Sequence, residues 1–387
     1  MLKKLVIKKF KSCENVEISD IGEFLVLVGK NGVGKTNIFR ALHWVSRSVS
    51  SGMVSLEESA NLETRSVEIE VLIDGKHLVY QIEVGANLVT ENNTPRLDFF
   101  VEESLYAKLT NGSRDRIFER RNQELTVGIE GSRLPIGENS IASLSIISLL
   151  PTHTVMPVVT GFVRFVSKFS HNHLDTLANE RTSRFLAAED FLKWQKTSEL
   201  NAARPSDTEM HLLDLKTRNS GLYEELIVML CHIGIIDSFD IVSVGVDTQG
   251  KPRFYVFNWM PKYQASGESR GWNELSFGTR RLIKLFVAFF YQDDSVFMLE
   301  QPEDGIHAGL LHEILPMLRT YVAERQIFMA THSPEVMNAA RPEEIRIVHS
   351  ASGVTSVREL SEDELDAACS YLQDDGPLYN FISMIEG

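Results

Sequence analysis

The amino-acid sequence predicts an α/β fold in which a mixed sheet is flanked by an antiparallel β lobe and interrupted by a helical insertion. Two wholly apolar runs, Phe24 to Val28 and Val296 to Leu299, read as strands covered on both faces, as in a sheet with helices on each side. Between residues 66 and 131 short apolar stretches alternate with turn pairs, the pattern of a meander. From about 139 to 236 the apolar spacing becomes helical, most clearly in LLDLKTRNSGLYEELIVMLCHIGII.

The elements follow in order. At the start Leu5, Ile7 and Phe10 alternate with Lys4, Lys8 and Lys9, the period-two pattern of a half-buried strand, expected at a sheet edge. The turn formers Ser19, Asp20 and Gly22 precede the buried run from Phe24, which leads straight into a glycine-rich loop. The meander has turn signals at Asp74-Gly75, Asn92-Asn93, Asn111-Gly112 and Glu130-Gly131. After the helical insertion, strand patterns return at Ile241 to Val246 and Arg253 to Asn258. A long helix is expected from about Phe277, then the buried strand from Val296, a helix from about Gly309, a strand from Ile327 to Ala330 and a last one near Ile345 to Val348. No internal repeat is present. The expected organisation is an N-terminal lobe over 1–138, a helical insertion over 139–236 and a C-terminal lobe over 237–387.

Composition narrows the function classes. The chain has 387 residues, 43% hydrophobic and 24% charged, as expected of a globular protein of one or two compact units. A formal net charge of -14 argues against a surface that grips nucleic acid everywhere, because phosphate neutralisation needs clustered Lys and Arg; nucleic acid is admissible only at a local patch. Cys13, Cys231 and Cys369 lie far apart with no CxxC spacing, so neither a disulfide framework nor a zinc site is indicated. Apolar runs such as Ile141 to Leu150 fall short of the ~20 residues that cross a bilayer, and MLKKLVIKKF has no long apolar core. A cytoplasmic protein without membrane contact is expected.

Two segments carry chemistry. Gly29-Lys30-Asn31-Gly32-Val33-Gly34-Lys35-Thr36 matches G-x-x-x-x-G-K-[ST], between a buried strand and a helix starting near Thr36. Its glycines let backbone N–H groups turn inward around phosphate oxygens, and the helix N-terminus favours the anion. Lys35 is expected to reach the β- and γ-phosphates of ATP and the Thr36 hydroxyl to bind Mg²⁺, with Gly29, Asn31, Gly32, Gly34 and Asn37 completing the cradle. Ser295-Val296-Phe297-Met298-Leu299-Glu300 is an apolar strand ending in a carboxylate, the form of a Walker B element, which makes Glu300 the metal-side acid. A strand that merely exits at a charged residue looks the same in isolation; the upstream phosphate loop favours the functional reading.

With these motifs, KKFKSCENVEI and GKNGVGKTN near the N-terminus and ELSFGTRRL, FMLEQPEDGIHAG and MATHSPEVM in the C-terminal third give the chain a resemblance to a known family. It resembles the ABC-type ATPases of the SMC, RecF and OLD-like group, in particular the compact AAA ATPases of bacterial defence operons. The central helical part shares none of this. The resemblance implies that Leu275-Ser276-Phe277-Gly278 is a signature motif, with Ser276 and the Gly278 backbone facing the γ-phosphate held by a second copy's phosphate loop. An ATP-sandwiched homodimer with two sites follows. It also implies that His332 in Thr331-His332-Ser333 is a switch histidine, that Asp304 to His307 crosses the dimer interface, and that Lys11 and Ser12 lie near the base and α-phosphate. For the glutamine loop that couples the lobes in this group, Gln81 and Gln123 are the candidates.

Two positions depart from the family pattern. Gln301 stands where a carboxylate often follows the Walker B acid, and Ala308 where proline is common. An amide orients water but accepts no proton, so Gln301 implies slow hydrolysis, with Glu303 as an alternative acid. Arg114, Arg116, Arg120 and Arg121 read as a solvated face, whereas Arg280 and Arg281 after the signature are candidates to pair with nucleotide or the opposing subunit. Glu362, Asp363, Glu364, Asp366, Asp374 and Asp375 read as a solvated helix and turn. The resemblance implies an ATPase, ATP to ADP and phosphate, acting as a sensor or scaffold that controls a separately encoded effector in antiviral defence. The alternative is a RecF/SMC-like DNA-binding ATPase in repair, with a transporter subunit third. No heptad run long enough for a coiled coil is present, and no DxD-containing Toprim-like region follows His332.

Overall fold

The computed structural model describes residues 1–54, 64–91, 94–129, 131–136, 141–147, 154–172, 184–198, 208–262, 268–320, 325–374 and 376–386. The chain divides into two compact units, Met1–His171 with Asp294–Gln301 and Tyr321–Gly387, and Asn172–Asp293 with Pro302–Thr320.

In the first unit β1 (Leu2–Phe10), β2 (Cys13–Ile18) and β3 (Phe24–Val28) lead into α1 (Lys35–Ser51). There follow β4 (Arg65–Ile73), β5 (Lys76–Glu91), β6 (Thr94–Lys108), β7 (Arg114–Arg121), β8 (Glu124–Val127) and β9 (Ser132–Pro135). Next come α2 (Ser143–Ile147), α3 (Met156–Val166) and β10 (Phe169–Asn172). The second unit contains β11 (Phe185–Ala187), α4 (Ala188–Ser198), α5 (Thr208–Arg218), α6 (Ser220–His232), β12 (Ile236–Val246), β13 (Pro252–Pro261) and α7 (Phe277–Tyr291). After β14 (Val296–Glu300) in the first unit and α8 (Ala308–Thr320) in the second, the first unit is completed by β15 (Gln326–Thr331), α9 (Pro334–Ala339), β16 (Ile345–Ala351), β17 (Val354–Glu359), α10 (Glu362–Asp374) and α11 (Leu378–Glu386).

The meander forms an antiparallel sheet of order β2-β1-β4-β5-β6-β7-β8-β9. Asp74 and Gly75, with φ of 49° and 73°, supply the two left-handed positions of the tight hairpin between β4 and β5. Gly112 turns the chain between β6 and β7, whereas Asn92-Asn93 and Glu130 lie outside the described residues. β1 is not at the sheet edge, contrary to expectation: it pairs with β2 on one side and β4 on the other. Alternation reports one solvated face, which any strand of a one-sided sheet can show.

The second sheet has order β10-β14-β15-β3-β16-β17, with β14, β15, β3 and β16 parallel and β17 antiparallel. The wholly apolar runs sit in its interior, with their side chains buried on both faces of the sheet. One core joins the two sheets through α1: Leu5 and Ile7 of β1, Ile38 and Leu42 of α1, Leu25 of β3 and Met298 of β14 belong to the same buried cluster.

The arginine cluster is not a uniformly solvated face. Arg120 is buried, with Nη1 3.5 Å from Glu103 Oε2 and Nε donating to Asn122 O at 3.0 Å. Tyr80 Oη donates to Glu103 Oε1 at 2.8 Å, and Ser143 N and Oγ each donate to Glu103 Oε2 at 2.6 Å. A charge with this many partners can stay inside the protein. Sequence periodicity sees the arginines but not Glu103 across the ladder.

Residues 139–236 contain α2 to α6, but also β10 and β11. The longest amphipathic stretch breaks at Asn219, whose side chain caps α6 by accepting from Leu222 N at 3.2 Å. In the second unit β11, β13 and β12 form an antiparallel sheet, on which Phe239 and Trp259 stack with centroids 3.8 Å apart.

Candidate functional site

In the parallel sheet the C-terminal ends of β3, β14 and β15 emerge at one edge, where α/β sheets bind ligands. β3 ends at Val28 and α1 begins at Lys35, so the glycine-rich loop spans that edge. Gly34, just before α1, has φ 107°, and a Cβ there would strike the Thr355 hydroxyl and lie 2.8 Å from Ser12 Oγ. Only glycine fits. Because glycine has no side chain to cap α1, and no acidic residue occupies its first turn, the leading N–H groups of the helix are suited to an anion. Lys35 is 7% exposed and folds back over the loop, its Nζ donating to Gly29 O at 2.5 Å and Lys30 O at 3.0 Å.

Glu300, at the end of β14, meets the loop. Thr36 Oγ1 donates to Glu300 Oε2 at 2.8 Å, and His171 Nε2 lies 2.6 Å from Glu300 Oε1. Gln301 follows with φ 45°, a left-handed conformation uncommon for a residue with a side chain, and its N–H donates to Ala330 O at 2.8 Å. A cavity of roughly 400 Å³, a size usual for small-ligand sites, is lined by Asn31, Gly32, Gly34, Lys35, Thr36, Asn37, Arg40, Glu300, Gln301 and Ala330. His332 stands exposed one residue past β15, and Ser333 caps α9 by accepting from Glu335 N at 3.1 Å.

The hydroxyl and carboxylate of Thr36 and Glu300 are hard oxygen donors suited to Mg²⁺. Among the described residues no group of three or more His, Cys, Asp or Glu could hold a metal ion, so a cation here would need oxygens from a bound ligand.

Ser276 and Gly278 belong to the second unit. Ser276 is exposed and caps α7, its Oγ accepting from Thr279 N at 3.1 Å. A Cβ on Gly278 would lie 2.5 Å from Gly305 O, so glycine is required for the Asp304–His307 turn to close on the start of α7. Arg281 is buried, not presented to a nucleotide: burial lowers its guanidinium below the ordinary value, and Asp304 and Glu303 oppose that shift. Phe277 remains 42% exposed.

Three residues here were missed in the sequence. Thr355 Oγ1 donates to Val33 O at 2.8 Å and lies 2.7 Å from Ser12 Oγ, which accepts from Asn37 Nδ2 at 2.8 Å. Thr355 N donates to Ser12 O at 2.7 Å, so the β1–β2 turn, the loop and β17 form one network. No local pattern marks a threonine 343 positions from Ser12. Arg40 was findable, because it lies four positions after Thr36 on the same face of α1. His171 is the third residue of a four-residue strand, FSHN, that is too short and polar to read. Lys11 sits in the β1–β2 turn with its ammonium over the Phe10 ring. Neither Gln81, on β5 beside Ser66, nor Gln123, in the β7–β8 turn, lines the loop cavity.

A family model described as an AAA domain, with the AbiEii toxin and Type IV TA system named in its description, matches residues 24–133 and 266–338. These segments contain the phosphate loop, Ser276, Gly278, Glu300, Gln301 and His332. No curated protein matches the sequence. Among solved structures, an SMC head bound to the C-winged helix domain of ScpA is similar over 95% of this chain and 99% of that one, with a TM-score of 0.52 and 14% identity. An SMC head domain with an extended coiled coil, bound to the C-terminal domain of ScpA derived from Pyrococcus furiosus, is similar over 96% and 99%, with a TM-score of 0.54 and 14% identity. At this identity the likeness is one of fold. Among the described residues no helix is long and apolar enough to cross a membrane.

Proposed function

We propose that this chain, whose fold is that of an SMC-like ABC-type ATPase head, binds MgATP in the loop after β3 and closes as a homodimer around two nucleotides to control a separately encoded effector protein. The observation that carries the reading is the convergence of Lys35, Thr36 and Glu300 on one cavity at the N-terminus of α1. Lys35 exchanges its contacts with the Gly29 and Lys30 carbonyls for phosphate oxygens. Thr36 and Glu300 hold Mg²⁺, which when bound offsets charge on the phosphates. Gln301 orients water without taking its proton, and His332 reaches the γ-phosphate, so hydrolysis to ADP and phosphate is slow. Ser276 and the Gly278 amide, exposed at the start of α7, offer a second helix N-terminus to the nucleotide of the other copy.

Segments 1–138 and 237–387, joined by His171 of β10 beside Glu300, supply the ATPase in this reading, while the rest of 139–236 or the acidic α10 region docks the effector. The Type IV TA system named in the matched family's description and the ScpA domains on the two similar SMC heads support a protein partner, and antiviral defence is the setting we favour. The SMC-like fold also favours a second reading, a DNA-binding repair ATPase, against which the charge of -14 weighs. Calorimetry with MgATP tests the nucleotide site. Lys35→Ala should lose tight binding and keep its circular dichroism spectrum; unchanged affinity would refute the site.

A further inference from the structure

We propose that His171 is a protein ligand of the nucleotide's divalent cation and biases the site toward borderline ions such as Mn²⁺ over Mg²⁺. This rests on the MgATP reading above. β10 is the edge strand beside β14, which brings its third residue, His171, next to the Walker B acid. The imidazole lies 2.6 Å from one Glu300 oxygen while the Thr36 hydroxyl lies 2.8 Å from the other. An imidazole and a hydroxyl therefore meet at one carboxylate, and of the three residues Thr36 and Glu300 line the phosphate-loop cavity; the Nε2–H that bonds Glu300 gives up its proton when the nitrogen takes the cation.

The ring is held for this task. The His171 side chain is 5% exposed and that of Glu300 11%. Phe39 meets the imidazole edge-on with centroids 5.9 Å apart, and His43, also on α1, lies 5.8 Å away. A side chain so enclosed loses little further freedom on binding an ion. Hydroxyl, carboxylate and phosphate oxygens suit Mg²⁺, but an imidazole nitrogen adds most to ions with nitrogen affinity, so its presence shifts the preference between ions.

A residue that merely held Glu300 in place would act equally with every cation, and the test uses that difference. ATP affinity is measured by calorimetry in Mg²⁺ and in Mn²⁺ for the full chain and for His171→Gln, whose amide oxygen preserves an Mg²⁺-compatible donor. The intrinsic preference of ATP for either ion cancels between the two proteins. The Mn²⁺-to-Mg²⁺ affinity ratio should fall roughly tenfold in the variant, the scale on which altered metal surroundings act. Pulsed electron paramagnetic resonance of the Mn²⁺·ATP complex should show coupling to a directly bound nitrogen in the wild type and none in the variant. An unchanged ratio, or no nitrogen coupling in wild type that does bind ATP, overturns the role of His171 alone. Wild type that binds ATP with neither ion overturns the nucleotide reading itself.

Discussion

Replacing Gln301 by Glu places a proton acceptor where the present side chain can only orient water. The backbone will hold the new side chain in the same place, because the Gln301 N–H is bonded to Ala330 O at 2.8 Å and φ is 45° directly after β14, which pairs in parallel with β15. Glutamate is nearly isosteric and no better suited to positive φ, so stability should change little. A general base contributes ~10²–10⁴-fold, equivalent to roughly 3–5 kcal/mol of barrier at 1.36 kcal/mol per decade. The gain should fall toward the low end. Glu300 lines the same cavity of roughly 400 Å³, and a second carboxylate beside it is harder to ionise. We therefore expect single-turnover hydrolysis of ATP to accelerate at least about tenfold, with the gain growing as pH rises and the new carboxylate ionises. Equal rates would show that Gln301 is off the reaction path or that another acid such as Glu303 already serves.

Three further substitutions probe the structure. Ser276→Arg, at the exposed cap of α7, should leave ATP binding intact and abolish ATP-dependent dimerisation in light scattering; persistent dimers would count against the sandwich. Thr355→Val removes the hydroxyl that bonds Val33 O, worth about 1 kcal/mol, and should weaken ATP binding about fivefold, with Thr355→Ser restoring it; a Val variant of normal affinity would dissociate Thr355 from the loop. Arg120→Met leaves Glu103 buried without its cation and should cost roughly 3–5 kcal/mol in urea unfolding, whereas a loss below about 1 kcal/mol would mean that Tyr80 and Ser143 suffice to hold the carboxylate.

Much of the site was legible because its parts are local. The glycine loop, its flanking strand and helix, and the carboxylate ending β14 are each contiguous runs whose chemistry depends on spacing along one stretch of chain. The turn residues did the same for the meander, since Asp74-Gly75 sets a hairpin through its own backbone preferences. The acidic run likewise formed the helix α10. Where reading failed, the deciding partner lay far away. Arg120 was assigned to solvent because Glu103 and Ser143 are invisible from β7. Arg281 looked available until burial beside the Asp304 turn excluded it.

The sequence by itself thus determined the kind of fold and the loop, since backbone propensity and hydrophobic period act over a few residues. Which strands are neighbours was left to tertiary structure. Pairing carries no signature in a single strand, so β1 proved to be interior, not an edge. Sheet order likewise brought β10 against β14 and set His171 beside Glu300 across 129 positions of chain. Folding closed that distance through the burial of both strands in one sheet, where the imidazole and the carboxylate each satisfy a polar group that would be costly to leave alone.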